Sequence, residues 1–148
     1  MSLTDWLDSG WISAHTTSPE EIADLLSICD RDLADSNTKG LSADWRLNIA
    51  YNAALQAATA ALAAAGYRAS RDMHHYRIIH SLQYTIGADV RLINQLEAFR
   101  KKRNIGGYER AGGVSDVEAR EILALARKLR KEVEGWIRKT NAGLLSKK

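Results

Sequence analysis

Apolar residues recur along most of this chain at steps of three and four, the period of a helix with one buried face. Ser18-Pro19-Glu20-Glu21 joins an N-cap, a proline at the first helical position and a glutamate three after the cap, which predicts a helix start. Behind it Ile22, Leu25, Leu26, Cys29 and Leu33 mark a buried face, and the Ser36-Asn37-Thr38-Lys39-Gly40 run ends the element. A second helix is predicted from about Ser42 to Gly66. It carries Trp45, Ile49, Leu55 and Leu62 on one side and Leu47, Tyr51, Ala54, Ala58, Ala61 and Ala65 on another, the small residues inviting a close neighbour. The third, from about Asp72 to Lys102, would bury Ile79, Leu82, Ile86, Val90, Ile93 and Leu96 along about 45 Å. Ser115-Asp116-Val117-Glu118 is a capping box, followed by Ile122, Ala126, Leu129, Val133 and Trp136 at helical spacing.

No segment alternates apolar and polar residues, so no sheet is expected. The pattern predicts an all-α fold, an up-and-down bundle of four long antiparallel helices with a short N-terminal helical arm. Residues 1–17 form the arm, 18–140 the bundle and 141–148 a basic tail. The arm holds Trp6, Leu7, Trp11 and Ile12, which must be covered by the bundle itself or by a second copy.

At 148 residues, with 45% hydrophobic residues and 1 proline, the chain has the size and composition of one globular domain. Its net charge of +3 is mild and does not require a whole-surface attraction to nucleic acid, and the basic character is local, which leaves room for an anionic partner. Cations gather from Arg100 to Arg110, from Arg127 to Arg130 and at Lys147 and Lys148. The one cysteine, Cys29, falls on an apolar face and reads as a packing residue, which with the lack of a leader or a long apolar run points to a cytoplasmic protein off the membrane. Gln56 and Thr59 interrupt the alanine-rich run of the second helix.

None of the 4 histidines has the spacing of a helical metal pair: His74 and His75 adjoin, and His80 follows six and five residues on. No phosphate-binding glycine loop, nucleophile elbow or paired-carboxylate motif is present, so hydrolases built on those motifs lose their support and neither metal nor cofactor is expected. The stretch Phe99-Arg-Lys-Lys-Arg-Asn-Ile-Gly-Gly-Tyr-Glu-Arg110 is different. Steps of three and four put Arg100 and Arg103 at the end of the Ile93 and Leu96 stripe, bordering a groove, while Gly106 and Gly107 would end the helix. The plainer alternative is a basic helix end answering its own dipole.

Arg103-Asn-Ile-Gly-Gly-Tyr108, between a long third helix and a capped fourth, resembles the signature of the HEPN family: an Arg and a polar residue, often Asn, with a His a few residues after the Arg. The likeness covers most of the chain, from about Pro19 onward, and implies the family's four-helix core. Arg103 and Asn104 match the catalytic Arg and its polar partner. Tyr108 holds the place of the His. An imidazole suits general acid–base work on an RNA 2′-hydroxyl because its pKa lies near 6.5, whereas a phenol near 10 would need a shift of about three units. What the substitution spares is recognition, with Arg100, Arg103, Asn104, Tyr108 and Arg110 as the ligand-binding set.

A literal Arg-x-x-x-x-x-His also occurs from Arg68 to His74. With an unbroken third helix it would lie about 40 Å from Arg103, so that the two clusters could meet only across a dimer. Arg68 and Arg71 then read as terminating one helix and His74 and His75 as opening the next. The resemblance implies a homodimeric, non-catalytic HEPN-like protein that binds RNA, a nucleotide or a minimal nucleotidyltransferase partner, in a toxin–antitoxin, defence or stress system. One alternative is a metal-independent endoribonuclease toxin in which His74 or His75 of the other subunit replaces the missing His. Another is a structural adaptor bundle whose basic loop only docks.

Overall fold

The computed structural model describes residues 1–108 and 113–145, with the backbone alone for 104–108. The chain is mostly helical. In order it forms α1 (Leu3–Asp8), β1 (Ile12–Ala14), α2 (Pro19–Asp35), α3 (Ala43–Ala64), β2 (Tyr67–Ala69), α4 (His74–Ser81), α5 (Val90–Tyr108) and α6 (Asp116–Thr140), then a 3-10 turn over Ala142–Leu145. Among the described residues no helix is long and apolar enough to cross a membrane.

Capping chemistry sets the helix starts where the sequence placed them. Ser18 accepts from the Glu21 N–H and Ser42 from the Trp45 N–H. Ser115 and Glu118 make both bonds of their capping box. The α3 helix is central, packing on α2 on one side, α6 on another and α4 with α5 on a third. Ala50, Ala53, Ala54, Ala57, Ala58, Ala60, Ala61 and Ala63 are all buried, and such small side chains allow helices to approach from several directions. Leu47, Ile78, Leu82, Leu96, Ile122, Leu129 and Ile137 fill the space between them.

Two expectations fail here. The predicted third helix is two: α4 stops at Ser81, a turn runs through Gly87 at φ +73°, and α5 starts afresh at Val90, where the Asp89 carboxylate accepts from the Leu92 N–H. Only glycine adopts that φ without strain, so the chain reverses there and α4 folds back along α5. Val90 consequently lies exposed instead of buried, as does Trp45 on α3. A sheet also exists. β1 pairs antiparallel with β2 through Ile12↔Ala69, Ser13↔Arg68 and Ala14↔Tyr67. Arg68 is thus a strand residue.

That sheet and α1 fold the N-terminal arm back on its own chain. Trp6 and Ile12 are buried with Leu62, and Trp6 meets Trp11 and Tyr84 edge-on with ring centroids 5.7 and 5.4 Å apart. The Arg77 guanidinium caps this aromatic cluster 3.8 Å from the Trp11 ring. Likewise Leu144 of the 3-10 turn is buried against α2 and α6.

Candidate functional site

The reversal at Gly87 carries the start of α4 to the far end of α5. Arg100 and Arg103, three residues apart on α5, stand half-buried at the end of the Ile93 and Leu96 stripe, while Lys101 between them is exposed. Opposite them lie His74, His75 and Tyr76 of α4, with Tyr51 of α3 buried in contact with both His75 and Arg103. Met73, His74, His75, Tyr76 and Arg100 line a wide-open cavity of about 300 Å³.

Tyr51 stands on the alanine face of α3, 1% exposed, and reaches both partners. The Arg103 guanidinium carbon lies 5.4 Å from its ring centroid, a cation–π contact, and its hydroxyl is 3.4 Å from Nδ1 of His75. Burial raises the Tyr51 pKa against the lowering pull of Arg100 and Arg103. The hydroxyl therefore keeps its proton and shares a hydrogen bond with the imidazole, donating to the tautomer whose Nδ1 is bare. Burial also lowers the His75 pKa, and Arg103, His74 and Arg100 lower it further, which favours a neutral ring. The start of α4 is held by Met73 in the left-handed region at φ 52°, with no side-chain cap. His74 Nδ1 donates to the Ser70 carbonyl at 2.9 Å, a partner that can only accept, so this nitrogen carries the proton.

Arg100 is tied to its own helix. Nε and Nη2 donate to the two Glu97 oxygens at 2.8 and 2.9 Å, and this bond raises the Arg100 pKa. Tyr76 stacks on His80 with ring centroids 4.0 Å apart. Burial lowers the His80 pKa, with Glu97 opposing, and Nε2 of His80 is enclosed without a hydrogen-bond partner. Lys102 turns toward α6 and meets Glu118 at 3.3 Å. Among the described residues Arg103 has no acidic partner.

Of the residues singled out from sequence, Arg100 lines the cavity and Arg103 stands against Tyr51, both close enough to act on that phenol. The side chains of Asn104 and Tyr108, and the whole of Arg110, lie outside the described residues. The α5 helix continues through Gly106 and Gly107 to Tyr108, so the two glycines do not end it. The separation expected between His74 and Arg103 is overturned: the hairpin brings His75 and Arg103 onto one tyrosine within one chain. Tyr51 and Glu97 were missed. The signal for Tyr51 was a lone phenol on a face otherwise given to alanine and one leucine, Leu47. Glu97 had the weaker mark of an acid three residues before an arginine. Among the described residues, no three His, Cys, Asp or Glu side chains gather as they would around a metal ion.

The arrangement suits a phosphate: two guanidinium groups for its oxygens, imidazoles beside it and aromatic walls for a neighbouring base. No family model, curated protein or solved structure matches this chain.

Proposed function

We propose that this chain is a HEPN-like helical protein that binds RNA, taking a backbone phosphate at Arg100 and Arg103, and that it acts as a homodimer without efficient nuclease activity. The observation that carries the reading is the convergence of Arg103 and His75 on Tyr51, beside the open cavity that His75 and Arg100 line. Arg103 is the main anion contact, because Arg100 is already neutralised by Glu97. The motif resemblance adds a toxin–antitoxin, defence or stress setting and a minimal nucleotidyltransferase as partner. Fluorescence anisotropy with a single-stranded RNA tests the binding. Arg103→Ala is expected to weaken it by about 1.5 to 3 kcal/mol, the worth of a charge-assisted hydrogen bond, and Lys101→Ala by much less. Equal losses that both vanish in high salt would reduce the groove to a diffuse basic surface.

One observation favours a second reading, a metal-independent endoribonuclease. His75 reaches the Arg103 site in the same chain, and its lowered pKa leaves a neutral imidazole able to take a proton from a ribose 2′-hydroxyl. The 2′-oxygen would attack the phosphorus, Arg103 would stabilise the added negative charge, and the bond to the 5′-oxygen of the next nucleotide would break, that oxygen taking a proton from water, to give a 2′,3′-cyclic phosphate. Cleavage in the presence of a chelator, lost in both His75→Ala and Arg103→Ala, would establish this activity in place of the non-catalytic reading.

A further inference from the structure

Glu97 gives the groove a charge that matches one kind of phosphate better than another. Both of its oxygens are committed to Arg100, and the pair is mostly buried, the side chains 14% and 24% exposed respectively. A carboxylate so placed cannot turn to water without leaving a half-buried guanidinium unpaired, so it stays behind Arg100 at the edge of the cavity. Tyr76 and His80 stack beside it, and the enclosed Nε2 of His80 brings no compensating positive charge. Among the described groups, Arg100 at the cavity is balanced by Glu97, Arg77 is drawn to the Trp11 ring, and Arg103 beside Tyr51 adds one guanidinium that no acid there offsets.

We propose that Glu97 makes the groove selective for a singly charged phosphodiester over a doubly charged phosphomonoester. The inference rests on the anion-binding reading of the same groove. A diester balances the site's one net charge. A monoester brings a second negative charge up to the mostly buried Glu97 carboxylate, and like charges repel more strongly across such surroundings than in water. The site would then take an internal position of a nucleic-acid strand while turning away free nucleotides, which end in a monoester or a polyphosphate.

Uridine 5′-phosphate and its methyl ester are matched probes, since they differ by one methyl group and one charge. Titrations followed by NMR at about pH 8, well above the monoester's second ionisation near 6, keep that difference intact. In the wild-type protein the methyl ester is expected to bind about threefold or more tighter than the monoester, with shifts at the His75 ring. Glu97→Gln keeps the shape and a carbonyl for Arg100. It should raise monoester affinity by about tenfold and methyl-ester affinity by less than half as much. Tighter binding of the monoester by the wild-type protein, with Arg103→Ala abolishing both, would overturn the selectivity and leave the anion groove standing; the wild-type comparison decides this even if the Glu97 variant does not fold. An equal gain for both probes in Glu97→Gln would also overturn it. Failure of both probes to bind, or binding indifferent to Arg103→Ala, would instead remove the anion groove itself.

Discussion

The Tyr51 hydroxyl lies 3.4 Å from Nδ1 of His75, joining the alanine-rich α3 to the first turn of α4 across 24 positions of sequence. On its other side the same ring supports the Arg103 guanidinium. One phenol thus sets the relative position of an imidazole and an arginine that come from different helices.

Tyr51→Phe keeps the ring and removes only the donor. Unfolding by urea should show a loss of about 0.5 to 1.5 kcal/mol, the usual net worth of one hydrogen bond. With Nδ1 of the neutral His75 ring bare and accepting from the phenol, loss of that donor should move its titration, followed by NMR, upward. Unchanged stability together with an unchanged His75 titration would mean that the bond is not made in solution.

Acid should loosen the groove before it reaches the carboxylates. Burial, with Arg103, His74 and Arg100, lowers the His75 pKa; burial lowers that of His80 as well, helped by Arg100 and Arg77 and opposed by Glu97. Below the unfolded pKa, about 6.5, the unfolded chain binds protons that the folded one refuses. Stability is therefore full above that value and falls as the pH drops from there toward the folded pKa values. Urea midpoints measured between about pH 7.5 and 5 should decline, and more gently in His75→Gln. A flat profile over that window would contradict the environments described for both rings.

Gly87 and Gly135 should respond oppositely to alanine. A Cβ at either position meets nothing within 4 Å, so packing does not separate them. Gly87 has φ +73°, where an L side chain is strained, and Gly87→Ala should cost about 1 kcal/mol. Gly135 lies inside α6, and Gly135→Ala should stabilise by about 0.5 to 1 kcal/mol. Thermal unfolding of the two variants checks the sign of each. Stabilisation by Gly87→Ala would argue against the chain reversal that brings His75 to Arg103.

Asp32 is a carboxylate only 6% exposed, held by Asn52 Nδ2 at 2.6 Å and by Arg31 from the neighbouring position. Asn52→Ala removes the buried donor and should cost about 1 to 3 kcal/mol in chemical denaturation. Asn52→Asp should cost more, because it sets a second negative charge against the first. An Asn52→Asp variant as stable as Asn52→Ala would show that water relieves the pair.

Local chemistry determined much of this molecule. Ser18, Ser42 and Ser115 start their helices because a side-chain oxygen three residues before an unpaired N–H needs nothing from the rest of the chain. The helical period of Ile122, Ala126, Leu129 and Val133 likewise foretold which side of α6 is buried. Other features gave too short or too ambiguous a signal. Each strand is three residues long and exists because the other is there to receive its hydrogen bonds. Leu82, Ile86, Val90 and Ile93 keep helical spacing across Gly87, so the break leaves the pattern intact and is decided by packing, which buries Leu82 and Ile93 on either side of a turn. Arg100 and Arg103 were legible as a pair because both lie on one helix face. Their meeting with Tyr51 and His75 was not, since three helices have to be brought together by a shared core before any of those distances is fixed.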